Sequence, residues 1–167
     1  MYNLIEIKAW CSDHDSVRTI LKSNNADFKG IDHQTDTYFL VPNGRLKLRK
    51  GNIENHLIHY HRPDIDGPKN SLVTLYKSDP ESSLKALLTK ALGIKTVVTK
   101  QREIYFIDNV KFHIDIVKSL GTFIEIEAIG KTNDDTEKLR EQCTHYMQLL
   151  KVQDRDLVTN SYSDMLM

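Results

Sequence analysis

Cysteine is scarce in this chain of 167 residues. Cys11 and Cys143 are its only two, too few for a disulfide scaffold and without the spacing of a zinc site, which fits a reducing compartment. Glycine and proline are also few, at 7 and 4, and no linker, low-complexity tract or fixed-period repeat breaks the chain, so a single domain over residues 1–167 is expected. Net charge is absent: lysine plus arginine equals aspartate plus glutamate, 23 each. No bulk field therefore draws the protein to nucleic acid or to an acidic membrane, and neither is expected as a partner. The opening MYNLIEIKAW has no signal-peptide pattern, and no apolar run reaches transmembrane length, so the cytoplasm is the expected location.

What the chain does have is alternation. Period-two segments run from Asn3 to Cys11, Gly44 to Lys50, His56 to Arg62, Leu72 to Ser78, Val97 to Ile107, Lys111 to Val117 and Thr122 to Ile129, and these read as strands. Helical spacing follows Asp79-Pro80, where Leu84, Leu87, Leu88, Ala91 and Leu92 form a stripe ending at Gly93; Asp79 is the expected N-cap and Pro80 a first-turn residue. A second helix is expected after Ser12 or Asp13, with Val17, Ile20 and Leu21, and a third after Asn133, with Leu139, Cys143, Met147 and Leu150. Turn chemistry at Pro42-Asn43-Gly44, Asp64-Ile65-Asp66-Gly67-Pro68 and Asp108-Asn109 favours hairpins. The class is therefore α+β on an antiparallel sheet.

Each strand has an ionic side. Alternation aligns Arg45, Lys47 and Arg49; Glu6 and Lys8; Lys100 and Arg102; His113 and Asp115; Glu125 and Glu127. Charged strand faces are ordinarily washed by water. Here, however, like charges recur two residues apart, an arrangement that repels unless opposite charge lies among them. Lys8, Arg45, Lys47, Arg49, Arg62, Lys100 and Arg102 stand against Glu6, Asp115, Glu125 and Glu127. That surplus of cations calls for a polyanion. Closing the sheet with its apolar face outward under the three helices would enclose the ionic face in a tunnel. Guanidinium forks and lysines suit phosphate oxygens, and carboxylates can bridge Mg²⁺ to phosphates, with Glu125 and Glu127 the best candidate ligands. An apolar-ligand carrier conflicts with such a lumen. His59 and His61 share a face but lack a third zinc ligand at useful spacing. Trp10 continues the Glu6 and Lys8 side, as a base-stacking residue or a plug at the barrel mouth. No P-loop is present.

These residues together resemble the CYTH family of triphosphate-tunnel metalloenzymes, which includes class IV adenylyl cyclases and thiamine triphosphatases. Glu6-Ile7-Lys8-Ala9 is similar to the family's N-terminal Glu-x-Glu-x-Lys strand, with Leu4 at the first glutamate position. Asp36-Thr37-Tyr38-Phe39 with Gly44 to Arg49, Leu57 to Pro63, Lys100 to Arg102, Ile114-Asp115, Gly121 to Glu127 and Ser161 to Leu166 extend the likeness over nearly the whole chain. The resemblance implies an eight-stranded antiparallel barrel with helices outside, and Mg²⁺ or Mn²⁺ on Glu6, Asp115, Glu125 and Glu127. It implies a triphosphate, ATP or similar, on Lys8, Arg45, Lys47, Arg49, Arg62, Lys100 and Arg102, with Lys8 and Tyr38 as candidate catalytic residues. In thiamine triphosphatases a tyrosine and a lysine activate water; Tyr38 matches the first, but no lysine stands near Tyr60 to Arg62 for the second. The cyclase reading therefore leads, ahead of a triphosphatase acting on inorganic, thiamine or nucleoside triphosphate, and of a non-catalytic polyphosphate- or nucleotide-binding module. A homodimer is left open.

Overall fold

The computed structural model describes residues 1–65 and 67–167; Asp66, in the expected turn at residues 64–68, lies outside them. Eight strands form a closed antiparallel barrel: β1 (Tyr2–Trp10), β2 (Asp27–Phe39), β3 (Arg45–Lys50), β4 (His56–His61), β5 (Lys69–Lys77), β6 (Ile94–Ile107), β7 (Val110–Val117) and β8 (Gly121–Gly130). Around the barrel they lie in the order β1, β5, β4, β3, β2, β6, β7, β8, and β8 pairs with β1. Closure gives each of these strands a hydrogen-bonded neighbour on both sides. Hairpin chemistry works as expected at Gly44, whose φ is +64° and whose Cβ, if present, would meet the Tyr60 carbonyl at 2.8 Å.

The helices are α1 (His14–Ser23), α2 (Leu84–Leu92), α3 (Thr136–Leu149) and the short α4 (Tyr162–Met165), with a 3₁₀ turn at Asp154–Asp156. Asp13 caps α1 by accepting from the Ser16 N–H at 3.0 Å, and Asp135 caps α3. The stripe Val17 and Leu21 of α1 packs with Leu139, Cys143, Met147 and Leu150 on the outward residues Ile5, Ile7, Phe112, Ile114, Ile124 and Ile126. This is the main core, and it lies outside the barrel wall on the β1, β8 and β7 side.

The α2 segment departs from expectation twice. Its N-cap is Ser83 instead of Asp79; Asp79 accepts from the Glu81 N–H in a preceding turn. None of its residues is buried, and Leu87 is 59% exposed. An open groove separates the helix from the barrel, lined by Leu84, Lys85, Ala86, Thr89 and Lys90 of α2 and by Thr35, Thr37, Leu48 and Ile94 of the strands, so Leu84 is the member of the expected stripe that reaches it. Two helices, not three, therefore seal the barrel. Among the described residues no helix is long and apolar enough to cross a membrane.

Candidate active site

Inward-facing side chains come from every strand, because alternation on a closed sheet sends every second residue to the lumen. Seven cations line it: Lys8, Lys47, Arg49, Arg62, Lys100, Arg102 and Lys111. Four carboxylates on the cavity surface oppose them, Glu6, Glu54, Glu125 and Glu127, and Asp36 and Asp115 lie buried behind. The structure therefore reduces the cationic surplus read from the sequence. Arg45 ends its row at the tunnel mouth, bound to Asp164 at 2.7 Å and Asp64 at 3.1 Å, while Asp36, Glu54 and Lys111 join the lumen.

The charges are organised around two buried carboxylates. Asp36 accepts from Arg49 through both oxygens at 2.9 Å and from Lys100 at 2.7 Å, with Lys47 at 3.4 Å. Burial opposes its ionisation, but these three cations hold the carboxyl well below its ordinary range. Asp115 accepts two bonds from Arg102, at 2.7 and 2.6 Å, and one from the Tyr162 hydroxyl at 2.8 Å. Its oxygens are thereby occupied. Glu6 is ion-paired with Arg62.

Glu125 and Glu127 stand differently. Glu125 meets Arg102 at 3.1 Å, Lys8 at 3.5 Å and His113 Nδ1 at 3.1 Å. Of the four carboxylates on the cavity surface, Glu127 is the one with no lysine or arginine within 4 Å among the described residues; His113 Nδ1 is 3.7 Å away. One ligand atom each from His113, Glu125 and Glu127 lies within 4.8 Å of the others. A small divalent cation holds its ligands at 2.0–2.1 Å, so that opposite ligand atoms sit roughly 4.2 Å apart, and this donor set closes on one with slight side-chain adjustment. Burial, with Arg102 next in effect, lowers the His113 pKa, which keeps the ring neutral and able to ligate. Three buried lumen atoms, Arg62 Nε, Ser71 Oγ and His113 Nε2, have no hydrogen-bond partner among the described residues, a cost that a polar ligand would offset.

Lys8 is buried, and its pKa is lowered first by that burial and opposed by Glu125. Its ammonium lies 3.8 Å from the centroid of Tyr162. Tyr38 is buried, and burial raises its phenol, keeping it protonated; Lys47 Nζ is 3.5 Å from its oxygen. The closing segment was only a familial ending in the sequence. It proves to seal one end of the tunnel: the Val158 N–H donates to the Lys8 carbonyl, Lys69 donates to the carbonyls of Val158 and Thr159, and Tyr162 reaches into the lumen. Trp10 stacks on Phe123 at 4.2 Å between centroids, at this same end of β1. His59 points away from the lumen, toward the Asn43 carbonyl at 2.9 Å.

Sequence reasoning missed Asp36 as a lumen charge, as well as Glu54 and Lys111. Asp36 sits on a strand with no apolar alternation, Glu54 on a loop, and Lys111 at the first position of its alternating segment. The register of the folded sheet is what brings two of them in: Asp36 lies opposite Arg49, and Lys111 opposite Glu127.

A closed antiparallel barrel with a charged, metal-competent lumen defines a tunnel protein built for a polyanion. Residues 3–162 match the model of the CYTH domain, and the chain belongs to the CYTH family of triphosphate-tunnel proteins. It is 25% identical over 173 residues to "Putative adenylate cyclase MJ0240" of Methanocaldococcus jannaschii, covering 96% of this chain and 97% of that protein. The PH1012 protein of Pyrococcus horikoshii shares the fold, with a TM-score of 0.79 at 23% identity over 98% of each chain. A structure from Vibrio parahaemolyticus titled as a putative adenylate cyclase does so with a TM-score of 0.75 at 18% identity, over 98% of this chain and 97% of the other.

Proposed function

We propose that this protein is a divalent-metal-dependent enzyme acting on ATP or a similar triphosphate, and that its reaction is of the adenylyl cyclase type. In that reaction the ribose 3′-hydroxyl attacks the α-phosphorus, its proton passes to a base, and pyrophosphate leaves. The observation that carries the reading is the juxtaposition, in one lumen, of the His113, Glu125 and Glu127 set with the cations Lys8, Lys47, Arg49, Lys100 and Arg102. Phosphoryl chemistry asks mainly for positioning and charge neutralisation, which such walls supply. When bound, Mg²⁺ or Mn²⁺ would withdraw charge from the phosphate oxygens.

In this reading Glu125 and Glu127, with His113, hold the metal. Asp115 orients Arg102, and Glu6 releases Arg62 to the phosphates when substrate enters. Arg45 serves at the mouth. Lys8 is the proton acceptor once its ammonium has given up its own proton, a release that burial favours. Tyr38, held protonated, donates a hydrogen bond.

A second reading, triphosphate hydrolysis, draws on Tyr38 and Lys47, whose polar atoms are 3.5 Å apart. The lysine that a tyrosine–lysine pair requires is absent from the strand segment near Tyr60 but is supplied by β3. One experiment separates the readings: incubation with ATP, thiamine triphosphate and inorganic triphosphate, each with Mg²⁺ or Mn²⁺, resolving pyrophosphate from orthophosphate. Cyclic AMP with pyrophosphate is expected, whereas orthophosphate alone would replace the cyclase reading with the hydrolytic one. Glu127→Lys should abolish metal-dependent turnover; full activity in that variant would remove the metal assignment.

A further inference from the structure

Lys111 and Glu127 stand directly opposite each other across β7 and β8. Opposite charges so placed, with Cβ atoms about 5 Å apart, ordinarily pair. These two do not. Among the described residues no lysine or arginine lies within 4 Å of Glu127, and the Lys111 ammonium is found 2.8 Å from Glu54 Oε2. Its other neighbour is Phe106, opposite it on β6, with the ring centroid 5.7 Å away.

Glu54 lies on the loop of residues 51–55 between β3 and β4, and a residue of β2 fixes it there. Asp32 is wholly buried, with no lysine or arginine within 4 Å among the described residues. Its Oδ1 accepts from the Ile53 N–H and its Oδ2 from the Glu54 N–H, each at 2.9 Å. Gln34 Nε2 donates to Asp32 at 2.8 Å and to Glu54 at 3.3 Å. Asn52 ties the loop to β2 a second time, accepting from the His33 N–H at 2.6 Å and donating to the Ile31 carbonyl at 3.0 Å. A carboxylate buried without a counter-ion is costly unless hydrogen-bonded, so the loop cannot move off Asp32 without restoring that cost. Glu54 is therefore presented to Lys111 from a fixed backbone, and the ammonium has a partner other than Glu127.

We infer that Glu54 is a positioning residue for the metal site: anchored through Asp32, it holds Lys111 off Glu127 and leaves that carboxylate open to a divalent cation. The inference rests on the reading that His113, Glu125 and Glu127 hold the metal, and it adds the residues that keep one of those ligands free of a competing ammonium.

The test is Mn²⁺ binding by calorimetry, without nucleotide, to the full chain and to Glu54→Gln, Lys111→Met, the two combined, and Gly51→Ala. Glu54→Gln keeps the shape of the side chain but frees Lys111 to pair with Glu127, and should weaken Mn²⁺ roughly 10- to 100-fold. Lys111→Met should bind Mn²⁺ at least as tightly as the native chain, and combined with Glu54→Gln should return the affinity to within roughly threefold of native. Gly51→Ala changes no charge. Its methyl would meet the Asp32 carboxylate at 2.5 Å and the Glu54 carbonyl at 2.8 Å, so the loop must shift. A loss of roughly tenfold in that variant separates the placement of Glu54 from its charge alone. Native-like affinity in Glu54→Gln or in Gly51→Ala, weakening by Lys111→Met, or no recovery in the double variant overturns the positioning role and leaves the metal reading intact. No Mn²⁺ binding by the native chain overturns both.

Discussion

Arg102 makes the most demanding set of contacts in the lumen, two to Asp115 and one to Glu125, and is itself buried. Removing it leaves two buried carboxylates without their main counter-charge. Arg102→Met should therefore cost about 3–5 kcal/mol of stability, read from the urea midpoint at constant slope; a loss under 1 kcal/mol would show that the network is not structurally required. Glu54 gives a pH signature. Burial alone would raise its pKa, but Arg49, Lys111 and His113 bring it well below its ordinary 4.5. Its native pKa is below its unfolded one, so its contribution is fully present above pH 4.5 and is lost as pH falls through the lowered native value. Melting temperature measured against pH should drop in that acidic window, and Glu54→Gln should make the drop shallower; an unchanged acid limb would contradict the assignment.

At the scale of elements, α2 and α3 make a controlled contrast. Both carry apolar residues at helical spacing, but Leu139 of α3 is 4% exposed against the barrel and Leu87 of α2 is 59% exposed. Leu139→Ala should cost about 2–5 kcal/mol, while Leu87→Ala should stay within about 0.5 kcal/mol, both by chemical denaturation. Periodicity reads the two helices alike, because a stripe records what could be buried and not what the neighbouring strands offer. Strand β2 shows the opposite failure. Its inward residues Asp32, Gln34 and Asp36 are polar, and its outward ones include His33, Thr35 and Thr37, so no apolar alternation announces it. Only the family likeness at Asp36 to Phe39 marks part of it. The closing segment is held by Tyr162, whose hydroxyl donates to Asp115. Tyr162→Phe keeps the ring and removes one bond to a charged acceptor, and should cost about 1.5–3 kcal/mol in thermal or urea unfolding.

For the whole molecule, the lumen sets nearly balanced charge in a small space, so ligand and metal act on stability together. A triphosphate with Mn²⁺ that binds only the folded barrel should raise stability by about 2.7 kcal/mol at a hundredfold excess over its dissociation constant, visible as a higher melting temperature. No shift with either nucleotide or inorganic triphosphate would argue against a triphosphate tunnel. Alternation in Glu6-Ile7-Lys8, Arg45 to Arg49 and Glu125 to Glu127 by itself determined which residues share a face, because the pleat fixes side-chain direction residue by residue. Turn chemistry at Gly44 and Asp108-Asn109 likewise determined two hairpins. Tertiary structure alone decided which charges meet. His113 joins Glu125 and Glu127, Asp115 is occupied by Arg102 and Tyr162, and Leu4, Ile58 and Val73 lie against one another as an apolar arc. Those pairings depend on the register between strands, which sets His113 opposite Glu125 and Arg102 opposite Asp115, and a local period carries no information about register across a closed sheet.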